Sequence, residues 1–260
     1  MQGKDALPAL QKATELLPED AETHYNLGVA LQALGQLDGA VASYCRAQEI
    51  KPDYAEAHYN LGNARYALGQ LEGAVASFRR ALEIKPEFAE GHSFLGTAQQ
   101  DLGQLDGAVA SFRRALEIKP DFAEVHSNLG NALKALGRMD EAIAHFEQAL
   151  VLNPKLDNAQ FGLFNSLYAL SLVNYDEAQY WALRAEDLFH EDPIVLRGIA
   201  GILGHTDNSI GDVLYTRQYF NKFAATFETT LEKLKYDLPR ILVNELDLGN
   251  EKISKDLDIL

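Results

Sequence analysis

The chain has 260 residues, 38 acidic against 23 basic side chains, a net charge of −15 and one cysteine. Its 47% hydrophobic content is that of a globular protein, and the acidic balance argues against nucleic-acid binding, which needs clustered Lys and Arg. A single cysteine excludes an internal disulfide and a cysteine-based zinc site, so we expect a reducing, cytoplasmic setting. No run of about 18 apolar residues is present, which predicts no membrane span.

A period of 34 residues runs through the first part of the sequence. Prolines, a Leu-Gly pair and a later glycine all recur at this step: Pro18, Pro52, Pro86, Pro120 and Pro154; Leu27-Gly28, Leu61-Gly62, Leu95-Gly96 and Leu129-Gly130; Gly35, Gly69, Gly103 and Gly137. A fixed period of this length predicts stacked units, each too small to bury its apolar face alone.

Each period predicts two helices, as residues 55–88 illustrate. Apolar side chains follow helical spacing in two stripes, Ala57, Leu61, Ala64 and Leu68, then Leu71, Ala74, Val75, Phe78, Ala81 and Leu82. Gly69 is where the first helix should end, because glycine adopts the left-handed conformation of a helix end. Pro86 should end the second helix, since proline lacks an N–H group. The small residues Gly62 and Ala74 predict that the two helices approach closely.

These residues resemble the tetratricopeptide repeat (TPR). In the second unit the matching residues are His58, Leu61, Gly62, Ala74, Phe78, Ala81 and Pro86. The resemblance implies an all-α fold, a right-handed TPR superhelix or α-solenoid, with units at 21–54, 55–88, 89–122 and 123–156. Residues 1–20 match the second half of a unit and are predicted to be a half repeat or an N-terminal capping helix.

Beyond residue 156 the period decays. We interpret 157–192 as a degenerate fifth repeat without the Leu-Gly pair. Irregular helices are predicted for 193–260, around a Gly-, Asn- and Asp-rich loop at 204–211. This segment is expected to be a C-terminal helical cap or a linker to a missing domain.

A second resemblance involves the aromatic residues of this C-terminal segment. Their spacing is similar to that in the junction segment of TPR-containing S-adenosylmethionine-dependent methyltransferases. The residues that carry this resemblance are Tyr215, Tyr219-Phe220, Phe223-Ala224, Phe227-Glu228, Tyr236 and Leu238-Pro239. The resemblance implies a catalytic domain that would follow residue 260. The sequence has no strand followed by a Gly-rich cofactor loop, so we expect this chain alone to bind no cofactor and to be no enzyme.

The histidines invite a metal site, which we weigh against a packing role. His24, His58, His92 and His126 occupy the slot where the family usually has Trp, and equivalent residues of stacked helices lie about 10 Å apart, too far to share one metal. His145, His190 and His205 have no partner at ligand spacing. The sequence therefore predicts packing histidines and no metal site, and it offers no catalytic residue.

The resemblance places the candidate binding residues on the first helix of each unit, which in the TPR family lines a concave groove that holds peptides. These residues are Glu22, Glu56, Glu90 and Glu124; Tyr25, Tyr59, Tyr66 and Phe94; Asn26, Asn60, Asn63, Asn128 and Asn131; and Lys134. An Asn amide both donates and accepts hydrogen bonds, so it can pair with any peptide backbone. The row resembles the asparagine ladder of the O-GlcNAc transferase repeat domain, interrupted by Phe94. The glutamates favour extended partners that are neutral or basic. Alternatively, the Asn and Tyr side chains merely keep the groove hydrated.

The C-terminal aromatic stripe leaves two alternatives open. Tyr215, Tyr219, Phe220, Phe223 and Phe227 could pack as core against the helix that starts at Pro193, in a monomer, or they could dock a partner, a missing domain or a second copy in a homodimer. The function that we predict is a non-catalytic scaffold for proteins or peptides. The alternative is the substrate-recruiting region of a methyltransferase.

Overall fold

The computed structural model describes residues 2–171 and Tyr180. Residues 2–171 form α-helices with no strand among them: α1 Gln2–Leu16, α2 Ala21–Ala33, α3 Leu37–Ile50, α4 Ala55–Ala67, α5 Leu71–Ile84, α6 Ala89–Asp101, α7 Leu105–Ile118, α8 Ala123–Ala135, α9 Met139–Leu152 and α10 Asp157–Ser171. Apart from Tyr180, the predicted second half of the fifth unit lies outside the described residues, as do the helices of 193–260 and the stripe from Tyr215 to Phe227.

The helices alternate within each 34-residue period. We name α2, α4, α6 and α8 the A helices and α3, α5, α7 and α9 the B helices. Between them, Gly35, Gly69, Gly103 and Gly137 have φ values of 72°, 73°, 73° and 76°. Gln70 N–H donates to the Arg65 carbonyl at 2.9 Å and closes the turn after α4. The predicted helix end at Gly69 is therefore confirmed, because only glycine takes this left-handed conformation without strain.

A glycine–aromatic contact holds each A helix against its B helix. A Cβ atom at Gly62 would lie 2.5 Å from the Phe78 ring, and Gly28, Gly96 and Gly130 are similarly close to Tyr44, Phe112 and Phe146. All four rings are fully buried. The predicted close approach of the two helices is confirmed, and it explains the Leu-Gly pair, since any side chain at the glycine would displace a buried ring.

α10 departs from the repeat but still packs on it. It has Phe164 where the A helices have their glycine, and instead its Gly162 lies against Phe146 of α9. The Phe146 ring therefore contacts a glycine of α8 and a glycine of α10. α10 extends the stack by covering the B helix before it.

The four repeated histidines connect each A helix to the turn before it. Nε2 of His24, His58, His92 and His126 lies 3.1, 3.0, 2.9 and 3.0 Å from the carbonyl oxygen of the proline six residues earlier. A carbonyl only accepts hydrogen bonds, so Nε2 carries the hydrogen. In α10 the equivalent residue is Gln160, whose Nε2 donates to the Pro154 carbonyl at 2.8 Å. The quartet therefore has a structural role, in which each histidine bonds its A helix to the preceding turn.

The B helices carry the paired arginines. Arg80 pairs with Glu83 at 2.8 Å, and Arg114 pairs with Glu117 at 2.9 Å and with Glu87. These arginines therefore have carboxylate partners close by, although exposed ion pairs contribute little to stability. Among residues 2–171 and Tyr180, no helix combines the length and the apolar character that crossing a membrane requires.

Candidate functional site

The predicted binding residues lie on the A helices, and we name their surface the A-helix face. Three contacts between successive A helices connect it. Asn60 Nδ2 donates to the Tyr25 hydroxyl at 2.9 Å, the Tyr66 hydroxyl donates to Asp101 at 2.5 Å, and the rings of Tyr59 and Phe94 meet edge-on with centroids 5.7 Å apart. Each contact joins residues 35 positions apart, so α2, α4 and α6 present one continuous surface.

The asparagines of this face are not equivalent. Asn60 already uses one of its two amide N–H groups on Tyr25, and Asn63 has a buried Oδ1 without a hydrogen-bond partner. Asn26, Asn128 and Asn131, by contrast, make no side-chain hydrogen bond to any part of the chain that the structure describes. The amides free for a ligand therefore lie at the α2 and α8 ends of the face.

The glutamates divide in the same way. Glu56 lies 3.6 Å from Lys85 Nζ, and Glu90 lies 4.0 Å from Lys119 Nζ. Glu22 and Glu124, both exposed, form no ion pair within residues 2–171. The acidic character of the face is thus partly neutralised in its middle and remains uncompensated at its two ends.

Burial shifts the pKa of several groups on this face. It raises the pKa of the Tyr25 and Tyr59 hydroxyls, while the side-chain hydrogen bonds of Asn60 and Asn63 lower it. Burial also lowers the pKa of Lys134, which is half-buried at the position that Tyr66 occupies two units earlier. These tyrosines are neutral near pH 7 and act as hydrogen-bonding groups rather than as charges.

Two large apolar side chains of the A helices face solvent, Val29 at 41% and Phe94 at 39% exposure. Phe94 takes the position that is Asn26, Asn60 and Asn128 in the other units. Its ring packs against Tyr59 and lies 6.1 Å from the centroid of Phe78, so two rings of the preceding unit hold it in place. The face therefore presents a fixed aromatic side chain between polar neighbours.

Sequence reasoning missed two partnerships. Asp101 joins the A-helix face through Tyr66, and the signal for it is the offset of 35 residues between neighbours on successive A helices. His145, which has no partner at ligand spacing along the sequence, has one in the fold, because its Nδ1 lies 3.1 Å from Nδ1 of His126. His126 is on α8 and His145 on the facing α9, which brings them together across 19 residues. No group of three or more His, Cys, Asp or Glu side chains in the described ranges could hold a metal ion.

Family models match the chain over the repeats. The model described as "TPR repeat" matches residues 33–69, 62–103 and 101–137, and models described as "Tetratricopeptide repeat" match 123–156 and 9–42. Together they span 9–156, more than half of the chain. No curated protein matches this sequence.

Solved structures show the same fold. YrrB, described as a TPR protein with an unusual peptide-binding site, is 26% identical, with 72% of this chain and 96% of YrrB covered and a TM-score of 0.59. MamA is 27% identical over 59% of this chain and 90% of its own, with a TM-score of 0.57. MamA from Desulfovibrio magneticus RS-1 is 23% identical over 60% and 88%, with a TM-score of 0.56. The fold is the all-α TPR superhelix that the sequence predicts, and over residues 9–156 the chain belongs to the tetratricopeptide-repeat family.

Proposed function

We propose that this protein is a non-catalytic scaffold that binds an extended segment of a partner protein along its A-helix face. The observation that carries the proposal is the exposed Phe94 ring, held by Tyr59 and Phe78 on a surface whose other residues are mostly polar. An aromatic side chain held in place loses little conformational entropy when it is covered by a ligand. YrrB, a structural relative with a described peptide-binding site, supports the same use of the fold.

The free asparagine amides supply backbone recognition in this proposal. Asn128 and Asn131 lie one turn apart on α8 with no side-chain partner in the described chain. Each can donate to a peptide carbonyl and accept from a peptide N–H, whatever the ligand's side chains. One net hydrogen bond contributes about 1 kcal/mol, so two would change affinity by about 30-fold. Asn60 also positions Tyr25, to which one of its two amide N–H groups is already bonded.

Charge sets the class of ligand. Glu22 and Glu124 are the glutamates of the face without an ion pair in the described residues, and the whole chain carries a net charge of −15. Neutral or basic segments therefore bind in preference to acidic ones, and basic segments bind more weakly as salt screens these exposed charges.

A charge-graded peptide array tests the proposal. Decapeptides with one aromatic or aliphatic side chain and net charges from acidic to basic are incubated with the protein, and affinities for the strongest are measured by fluorescence polarisation. We expect binding to neutral and basic peptides, and about 30-fold weaker binding in the Asn128→Ala, Asn131→Ala double variant. Arg79→Ala, on an exposed B-helix position, is the matched control and should change nothing. Equal affinity in the double variant, or loss in the control, would reject use of this face.

The second candidate function is the substrate-recruiting region of an S-adenosylmethionine-dependent methyltransferase. It is favoured by the aromatic pattern from Tyr215 to Pro239, which lies outside the described residues. In this candidate the A-helix face holds the methyl acceptor, and the stripe with Tyr219 and Phe223 docks the catalytic domain or a second copy of the chain. An Asp-x-Gly-x-Gly segment encoded after residue 260 would favour it over the free scaffold.

Two measurements address this candidate with the present chain. Calorimetry with S-adenosylmethionine should show no saturable binding, because the sequence has no Gly-rich cofactor loop. Light scattering of the Tyr219→Ser, Phe223→Ser variant distinguishes the roles of the stripe. A dimer that becomes a folded monomer supports docking, whereas a monomer that unfolds shows that the stripe is core.

A further inference from the structure

A pair of histidines in the fourth unit lies apart from the A-helix contacts described above. His126 on α8 is 8% exposed and His145 on α9 is half-buried. Their Nδ1 atoms are 3.1 Å apart, with ring centroids 5.3 Å apart and ring planes inclined by 31°. The Nδ1 atoms of the two rings therefore lie opposite one another at the junction of an A helix and its B helix.

The hydrogen bond to the preceding turn fixes the tautomer of His126. Its Nε2 lies 3.0 Å from the Pro120 carbonyl and must carry the hydrogen, which leaves the lone pair on Nδ1. In the metal-free protein, His145 donates its Nδ1 hydrogen to that lone pair. If the His145 hydrogen moves to Nε2, both Nδ1 lone pairs become available at the same point.

The spacing of the two nitrogens matches that of neighbouring ligands on one metal ion. Metal–nitrogen bonds to imidazole are about 2.0–2.1 Å, so two histidines on a tetrahedral ion have their nitrogens about 3.3 Å apart. The observed separation of 3.1 Å is close to this value. We propose that His126 and His145 chelate a divalent transition-metal ion of the Zn²⁺, Ni²⁺ or Cu²⁺ class through their Nδ1 atoms, with water completing the coordination.

The groups around the two histidines keep both rings neutral, and they also limit the affinity of the pair for a metal ion. The carbonyl of Pro120 acts as the outer partner that typically orients a ligating histidine. Burial lowers the pKa of both histidines, that of His145 to about 4, so protons do not compete for the site near pH 7. Arg113 lies near His145 and disfavours a cation, but its guanidinium also bonds to Glu141 at 3.0 Å. No third protein ligand joins the pair in the described chain, which places the site among moderate-affinity ones.

The repeat supplies internal controls. The first three units keep the His–Pro hydrogen bond but have serine where the fourth has His145: Ser43, Ser77 and Ser111. Two of these serines donate to the carbonyl four residues earlier, Ser43 to Gly39 and Ser77 to Gly73. Serine is therefore compatible with the fold at this position, and chelation is expected in the fourth unit rather than in every unit.

Zinc titration by isothermal calorimetry of the full chain, first stripped with EDTA, tests the site. His145→Ser installs the residue of the other units, and His126→Gln keeps a donor to the proline carbonyl as Gln160 does. We expect both variants to bind Zn²⁺ about ten-fold more weakly or worse, with His92→Gln, an unpaired histidine, unchanged. Mg²⁺ should not distinguish any of these proteins, because it prefers oxygen ligands. Unchanged Zn²⁺ affinity in His145→Ser, or an equal loss in His92→Gln, would overturn the proposal.

A transplanted pair sharpens the test. Ser43→His places an imidazole opposite His24, at the position equivalent to His145, and Ser43 makes only a local hydrogen bond that can be lost. The folded variant should take up one more Zn²⁺ per chain than the wild type. A stoichiometry that stays at the wild-type value in a folded variant would show that the position alone does not create the site.

Discussion

The third and fourth units, residues 89–122 and 123–156, share one framework and differ at two informative positions. The third has Phe94 where the fourth has Asn128, and Ser111 where the fourth has His145. Phe94 is exposed on the A-helix face, whereas His145 pairs with His126 between the helices. Two neighbouring units of one array therefore present different groups: the third presents an exposed aromatic ring and the fourth an imidazole pair.

The framework itself is nearly identical in the two units. The glycine–aromatic contacts are 2.7 Å for a Cβ at Gly96 against Phe112 and 2.8 Å for one at Gly130 against Phe146. The His–Pro hydrogen bonds are 2.9 and 3.0 Å. The residues on which the two proposals depend, Phe94 and His145, thus lie outside this framework, and they can be varied separately from it.

The largest effect is expected at the framework. Phe112→Ala and Phe146→Ala each remove a fully buried ring, and each should lower the free energy of unfolding by about 3–5 kcal/mol. Urea unfolding followed by circular dichroism measures both. If the framework is equivalent, the two losses should agree within about 1 kcal/mol. A much smaller decrease in unfolding free energy for one variant would show that the two units do not share an equivalent framework.

An intermediate effect is expected where the units differ on the A-helix face. Phe94→Asn gives the third unit the residue of the fourth, and it should weaken the best array peptide by about 5–30-fold because an exposed apolar contact is lost. Fluorescence polarisation measures the change. The reciprocal Asn128→Phe should leave the fold intact and alter which peptides bind. If Phe94→Asn retains full affinity, the aromatic anchor is not part of the binding site.

The smallest effect concerns pH in metal-free buffer. Burial, then the charges of His126 and Arg113, lower the pKa of His145 to about 4, below the value of about 6.5 in an unfolded chain. As the pH falls, the unfolded state therefore binds the proton at a higher pH than the folded state does. The contribution of neutral His145 to the free energy of unfolding is complete above about pH 6.5 and is lost as the pH falls towards 4. We expect a contribution of about 1 kcal/mol between pH 7 and 5, reduced from the full linkage value because the ring is partly exposed.

The serine of the third unit serves as the control for this pH effect. His145→Ser should flatten the dependence of unfolding free energy on pH between 7 and 5, relative to the wild type measured in the same buffers with EDTA. An identical pH dependence in the two proteins would place the acid sensitivity elsewhere.

The framework was predictable from sequence because its determinants are local and periodic. Gly69 indicates a helix end because glycine adopts a positive φ without strain. A glycine and an aromatic residue equivalent to Gly62 and Phe78 recur in each of the four units. The all-α TPR fold followed from these residues. The residues of the A-helix face were placed by the family resemblance, and their use by a partner stays a prediction.

The partnerships across the face were not predictable because they depend on how helices meet. Asn60 bonds to Tyr25 only because successive A helices are offset by one residue beyond the period. His126 meets His145 only because α8 and α9 face each other with these side chains at one level. The 34-residue period alone does not give these contacts, since each joins residues on two helices and depends on how those helices pack.

The hydrogen bond to the proline carbonyl has a consequence for how such arrays diverge and can be rebuilt. His24, His58, His92, His126 and Gln160 all place an N–H group at the same carbonyl position, so the slot selects a donor of suitable reach rather than an imidazole. Histidine and glutamine can therefore replace one another at this position as the repeats diverge in sequence. Glutamine at every such position would give an array in which no titrating side chain bonds to the proline carbonyl.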